Sequence, residues 1–398
     1  MTPQQEARIR ARMRDEQLGR FQGPELFHTD TSAATFAAVR NLLVPRPVNL
    51  ARPLEFFEIV VRTRLVIGTA DYTAGIPEAP QTLVERIRIS GNHKRWGNVT
   101  PINISGANAF AWMRVFQTVG NDLMIGTTRS ADPGQPFVQT TGLTTGVQAT
   151  YDVELHYLIP VAPVLGVSQS AKLQSLSFLW RPEDWIDNSI QMEVTLGDRT
   201  SLGTPAGGTT TTWTAYGSAS GNPSVEFYVG YAQMGRWQNV GRSGLVIRND
   251  YTVNPALAAV AGAQTLINLQ KQITTNVVIK SGIALTGTSA GVNVFASLSD
   301  LQLDQTGIIV DNKELRQTVR NTAWKNYVGR QFNTIIPQGY FVLPFVESGN
   351  ARNALRGDRI AGGAQFYVQT DVLTANANNR QMVVQEMVYG GPYLGAAA

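Results

Sequence analysis

The last two-thirds of this chain carries the same succession of strand-like segments twice. Residues 157–161 read Tyr-Leu-Ile-Pro-Val and lead to Gln-Met-Glu-Val at 191–194, then Val-Glu-Phe-Tyr-Val at 225–229. Downstream the order recurs as Tyr-Phe-Val-Leu-Pro-Phe at 340–345, Gln-Phe-Tyr-Val at 365–368 and Met-Val-Val-Gln at 382–385. The offsets shrink from 183 to 174 to about 158, so loop lengths drift while element order persists. That is the signature of a duplicated β domain, because loops accept insertions and deletions far more easily than packed strands do.

At 398 residues the chain is too long for one ordinary core, and two domains are expected. Only 16% of its residues are charged, so much of its polar surface is neutral. Neutral polar surface suits a protein buried against many neighbours, since each desolvated charge would need a partner. The chain holds no cysteine, which excludes disulfides, thiolate metal sites and cysteine nucleophiles. His28, His93 and His156 are scattered singly, an arrangement unsuited to a histidine-built metal centre. No segment reads as a signal peptide, and none approaches the roughly 20 apolar residues of a membrane span, so synthesis and folding in a cytosol are expected. In that compartment the glycosylation patterns at Asn98 and Asn103 are chance matches.

The formal net charge of +4 is too small over this length to mark a nucleic-acid binder. Its distribution says more. Arg8, Arg10, Arg12, Arg14 and Arg20 crowd the first 20 residues. Residues 4–18 have helix-forming composition with a thin apolar stripe at Ile9, Met13 and Leu18, stopped by Gly19, Gly23 and Pro24. Residues 1–30 are therefore expected to be a basic helical arm, ordered by whatever it touches. A solvated tail, an anionic membrane surface and nucleic acid are all open readings of it, the last disfavoured because no aromatic interleaves to stack a base.

From Pro53 onward the pattern is β. Strands are expected at 56–67, 83–89, 151–160, 190–196, 224–231, 245–248, 273–280, 292–295, 339–346, 365–372 and 381–389. Ser105 opens a stretch in which Ala109, Trp112, Met113 and Phe116 fall at helical spacing. A second helix is expected from 312 to 328, where Leu315, Val319, Ala323 and Tyr327 recur every four residues and Asp311 with Glu314 matches a capping box. Residues 203–222, rich in Gly and Thr, read as a long surface loop. A boundary at 238–243 divides the chain into a first domain at 31–240 and a second at 241–398. Many short strands, with one helix before the last strands of each half, predict an all-β fold of two consecutive eight-stranded antiparallel jelly rolls.

Catalytic constellations are scarce. There is no phosphate loop, dinucleotide fingerprint, H-E-x-x-H or nucleophile elbow. Asp300, Asp304 and Asp311 do not fit a calcium loop. Glu58, Glu85, Glu154 and Glu226 sit in predicted strands and offer carboxylates for a glycosidase-like pair, with Arg62, Arg86 and Arg88 at hand to neutralise them instead. Trp96, Trp112, Trp180, Trp185, Trp213, Trp237 and Trp324 are too scattered for a sugar platform. Trp180 and Trp185 bracket Arg-Pro-Glu-Asp, a candidate contact between domains or subunits.

Three pieces resemble a known family: Leu83-Val84-Glu85-Arg86 continuing to Asn92, residues 157–163, and Trp324 through Arg330 into Ile336-Pro337-Gln338-Gly339-Tyr340. The chain resembles the double jelly-roll major capsid proteins of tailless, membrane-containing bacterial viruses, the tectivirus group. The resemblance implies a structural protein without catalysis or cofactors, standing upright as a homotrimer of six barrels that tiles an icosahedral lattice. It implies partners among vertex and minor capsid proteins, and an arm (Arg8, Ile9, Arg10, Arg12, Met13, Arg14) that reaches the viral membrane or a neighbouring capsomer. No sequence-specific nucleic-acid contact is implied. The expected location is the virion capsid, with assembly in the host cytoplasm, and residues 203–222 would form an outward tower. A jelly-roll carbohydrate-binding or carbohydrate-cleaving protein is the alternative, and a receptor-binding spike a third.

Overall fold

The computed structural model describes residues 24–31, 39–50, 52–68, 71–75, 81–109, 112, 127–129, 149–163, 178–205, 211–232, 244–253, 264–284, 295–297, 302–310, 313–332, 336, 339–346, 353–360, 364–370 and 379–390. The strands of the first half, in chain order, are β1 (Glu25–Asp30), β2 (Arg40–Leu43), β3 (Leu54–Ile67), β4 (Tyr72–Gly75), β5 (Val84–His93), β6 (Gly97–Ile104), β7 (Thr127–Arg129), β8 (Ala149–Pro160), β9 (Gln191–Leu196), β10 (Gly203–Pro205), β11 (Thr212–Thr214) and β12 (Ser224–Tyr231). Those of the second half are β13 (Gly244–Val253), β14 (Gln264–Asn268), β15 (Ile273–Ala284), β16 (Phe295–Ser297), β17 (Leu303–Val310), β18 (Lys313–Arg320), β19 (Tyr340–Pro344), β20 (Leu355–Arg356), β21 (Ala364–Thr370) and β22 (Asn379–Gly390). Helix α1 (Asn321–Phe332) stands between β18 and β19.

Setting aside the short accessory strands β4, β7, β10, β11, β16 and β20, each half contributes eight strands wound identically. In the first half one sheet runs β1-β12-β3-β8 and the other β2-β9-β5-β6. In the second half the sheets run β13-β22-β15-β19 and β14-β21-β17-β18. Ranked within its own half, each pair of sheets has the order 1-8-3-6 and 2-7-4-5. This is the double jelly roll, and it places the repeated segments at matching positions: 157–160 and 340–344 in the sixth strands, 191–194 and 365–368 in the seventh, 225–229 and 382–385 in the eighth.

The rolls form by alternation. On β3 the side chains of Phe57, Ile59, Val61 and Leu65 are fully buried, while Glu58, Arg62 and Arg64 between them face outward. The two rolls are fused edge to edge, because β6 lies parallel to β13 with Arg248 opposite Ile102 and Asn249 opposite Asn103. One ten-stranded sheet thereby crosses from the first roll to the second, and a single apolar core cluster includes residues of both.

Several expectations need correction. Residues 313–320 form strand β18, antiparallel to β17, and the helix begins only at Asn321. Residues four apart share a face in a regular strand as well as in a helix, so the spacing of Leu315 and Val319 in the sequence could not decide between the two. The buried positions of α1, at Asn321, Trp324, Lys325 and Val328, are the true helical stripe. The segment expected as an open loop at 203–222 contains β10 on β4 and β11 on β3, anchored by buried Trp213. Residues 24–31 contribute β1, paired to β12. The arm residues Arg8, Ile9, Arg10, Arg12, Met13 and Arg14 and the 238–243 junction lie outside the described residues, as do Asp300, Asp311 and Trp237.

Candidate functional site

Where the rolls meet, charge is buried and fully engaged. Alternation along β13 points Arg248 and Asp250 out of the second roll toward the first, and both are buried, at 2% and 8% exposure. Arg248 Nε donates to Glu386 Oε2 of β22 at 2.7 Å, and its two other nitrogens donate to the carbonyl oxygens of Pro160 and Ala162 at the end of β8. The guanidinium also lies 5.9 Å from the ring of Trp112. Glu386 Oε1 accepts from Thr275 Oγ1 at 2.6 Å and Asn276 Nδ2 at 2.8 Å. Asp250 accepts from the Arg86 guanidinium on β5, from the Ser105 backbone N–H at 2.7 Å and from Asn108 Nδ2 at 3.0 Å. Ser105 and Asn108 belong to the helical turn that follows β6, so a helix of the first roll sits on the 1-8-3-6 sheet of the second. Fully satisfied buried ions of this kind fix one docking geometry, since any other leaves a charge unpaired.

The corresponding sheet face of the first roll carries a second cluster. Arg62 Nη1 donates to Glu226 Oε1 at 3.1 Å and Nη2 to Glu154 Oε1 at 3.2 Å. The ring of His156 lies between Glu58 Oε1, 3.0 Å from Nδ1, and Glu154 Oε1, 2.8 Å from Nε2. Arg64 grips Asp152 with two donors at 2.7 and 2.8 Å. The hydrogen bond with Glu58, then that with Glu154, raises His156 above the ordinary imidazole value despite burial. Burial acts to raise Glu154, but the bond from His156 and the charge of Arg62 prevail and hold it low. Tyr228 is pushed up to about 12 by burial and by Glu226.

Three of the four strand glutamates read from the sequence, Glu58, Glu154 and Glu226, are thus brought together, and Glu85 is not. Glu85 lies on β5 in the other sheet, accepts from Ser201 Oγ at 3.0 Å and is raised chiefly by burial. The clustered carboxylates are tied to Arg62 and His156, and Glu154 is held low, opposite to what a glycosidic acid requires. The arrangement links opposite charges across three strands; the sequence showed each acid on an outward position but not which strands would adjoin.

Trp180 and Trp185 are buried inside the first roll, with ring centres 4.4 Å apart and Phe57 edge-on to Trp180, so they are core and not an interface. His93 packs beside Trp185 and Trp96, and its Nδ1 accepts from the Arg95 N–H at 3.1 Å. Burial, with the charge of Arg95, lowers it to about 4. Among the described residues no group of three His, Asp or Glu is placed to hold a metal ion, and no helix is long and apolar enough to cross a membrane.

No family model matches this chain, and no curated protein does. Solved structures do match. The STIV MCP superposes over 93% of this chain and 99% of its own, with a TM-score of 0.56 and 12% identity. The fold is that of viral major capsid proteins. The atomic structure of Sulfolobus Turreted Icosahedral Virus gives a TM-score of 0.55 at 11% identity, over 94% of this chain and 92% of that one. The Faustovirus major capsid protein gives 0.50 at 11% identity, over 92% of each chain. These double jelly rolls share this chain's architecture over 92% to 94% of its length at 11–12% identity.

Proposed function

We propose that the chain is a structural major capsid subunit. Three copies join through their side walls into a pseudo-hexagonal tile of six rolls, and tiles pack into an icosahedral shell in the virion after assembly in the host cytoplasm. The observation that carries this reading is the pair of identically wound rolls fused side by side, an architecture shared with capsid proteins over 92% to 94% of the chain. Large, weakly charged side walls repeated around a ring let many modest contacts sum, so a shell is stable although each tile dissociates reversibly.

In this reading β1 to β12 form the first roll, β13 to β22 the second, and the basic arm ahead of Glu25 touches an internal membrane or a neighbouring tile. Vertex and minor capsid proteins are the other partners. No catalysis is assigned, since Glu58, Glu154 and Glu226 are held by Arg62 and His156.

The test is the mass and outline of the purified chain. A species of three chain masses whose projections show six lobes is expected, and a persistent monomer by sedimentation overturns the reading. Changing Arg8, Arg10, Arg12 and Arg14 to Glu is expected to weaken attachment to anionic vesicles and leave trimers intact; unchanged attachment removes the membrane role. Release of sugar from a glycan that disappears in Glu154→Gln would favour the carbohydrate-active alternative.

A further inference from the structure

The junction between the two rolls is a heterologous contact whose two halves are each present twice in the chain. The helical turn after the fifth strand of the first roll covers the 1-8-3-6 sheet of the second, and there the Arg248 and Glu386 side chains are 3% and 0% exposed. The same sheet of the first roll is more open. On it the side chains of Arg62, Glu154, Glu226, Glu58 and His156 keep between 13% and 38% exposure. The second roll in turn owns its own helix after the fifth strand, α1, and the sequence repeats an Ala-Trp pair at 111–112 and 323–324.

We propose that the outward face of α1 in one copy seats on the β12-β3-β8 face of the first roll in a second copy, repeating between chains the contact made within the chain. This rests on the reading of the chain as a self-assembling shell subunit, and it specifies the contact that reading leaves unspecified. Charge argues for this occupant. The receiving face holds four carboxylates, Glu58, Asp152, Glu154 and Glu226, against the guanidinium groups of Arg62 and Arg64 and the imidazole of His156. The donor contains no acidic residue from Arg320 to Phe332, and it exposes Arg320, Arg330 and, at 51%, the aromatic ring of Tyr327. An exposed aromatic flanked by arginines is the composition of an interface anchor. Aligned through the shared Ala-Trp pair, Arg320 takes the place of Asn108, which reaches Asp250 across the internal junction. A heterologous contact either closes into a ring or runs on as a filament, and two rolls per chain closing after three chains give six.

The absence of cysteine makes the test direct. A chain carrying both Tyr327→Cys and Tyr228→Cys, treated with a short bismaleimide, is expected to yield a covalent species of three chains, while each single variant yields only single chains. A native mass of three chains with no cross-linked product overturns this contact and leaves the capsid reading standing, whereas a wild-type chain that stays monomeric overturns both. Because Tyr228 is half-buried, a second variant guards against misfolding. Arg320→Glu with Arg330→Glu, both on exposed positions, is expected to raise the concentration needed for trimers at least tenfold while circular dichroism and the melting of the single chain stay unchanged. An unaltered assembly midpoint overturns the proposal.

Discussion

Arg248 on β13 and Glu386 on β22 meet at 2.7 Å with side chains 3% and 0% exposed, and the same guanidinium reaches across to the carbonyl oxygens of Pro160 and Ala162 in the other roll. One residue therefore joins a buried ion pair within the second roll to the end of a strand in the first. Removing either member strands the other charge in a dry interior. Arg248→Met and Glu386→Leu are each expected to cost about 3–5 kcal/mol in urea unfolding. The double variant should cost clearly less than the two together, because it leaves no orphaned charge. Strictly additive losses would show that the pair is not coupled.

His156 predicts stability lost toward alkaline pH. Its ring is held by Glu58 and Glu154, Arg62 donates to the same Glu154 oxygen, and Glu226 with Tyr228 adjoins Arg62. A histidine whose folded value is raised contributes its full stabilisation below the unfolded value of about 6.5 and loses it as pH rises through the folded value. The difference in unfolding free energy between wild type and His156→Gln should therefore be greatest near pH 6 and shrink upward. A constant difference would mean that the imidazole is not protonated between its two carboxylates.

His93 predicts the opposite sign. It is buried among Trp96 and Trp185 and its Nδ1 is already an acceptor, so the folded state keeps it neutral down to about 4. The unfolded chain takes up a proton below about 6.5, and stability falls between these two values as the solution is acidified. His93→Phe, which retains a ring between the two tryptophans, should flatten the acid limb of stability against pH. Taken together the two histidines favour a maximum near the pH at which an unfolded histidine titrates. Loss of the acid limb in His156→Gln instead would reverse the assignment.

How far the sequence could carry the fold is seen in which strands it revealed. β3, β8, β12, β15, β19 and β22 lie in the 1-8-3-6 sheets, are rich in Val, Ile and aromatic residues, and were legible. β2 has four residues and lies at a sheet edge, and β1, β17 and β18 mix polar with apolar residues, so neither length nor alternation announced them. The helix was legible in kind but misplaced, because Leu315 and Val319 satisfy both periods. The half-buried cluster was hidden for a different reason. Arg62 lies 92 residues from Glu154 and 164 from Glu226, and alternation assigns each to an outward face without saying which strands become neighbours. Trp180 and Trp185 misled because a polar insert between two tryptophans reads as surface, whereas here Pro182–Asp184 is a short 3₁₀ turn that returns both rings to the core.

Two glycines of the β5–β6 hairpin predict destabilisation by different routes. Gly91 is buried in β5, where an added Cβ would stand 2.9 Å from Trp185 Cζ3 and 3.2 Å from Ile190 Cγ1. Trp185 is itself wedged between Trp180 and His93, so it has little room to withdraw. Gly91→Ala is expected to cost about 1–3 kcal/mol through overpacking. Gly97, which opens β6, has φ of +73° and open space around its Cα, so Gly97→Ala should cost about 1 kcal/mol through backbone strain alone. Asparagine separates the two causes. It tolerates the left-handed region, so Gly97→Asn should recover much of the loss, whereas Gly91→Asn adds both volume and an amide to an apolar pocket and should be worse than alanine. Denaturant midpoints of the four variants decide the matter, and equal recovery by asparagine at both sites would show that packing against Trp185 is not what requires glycine at position 91.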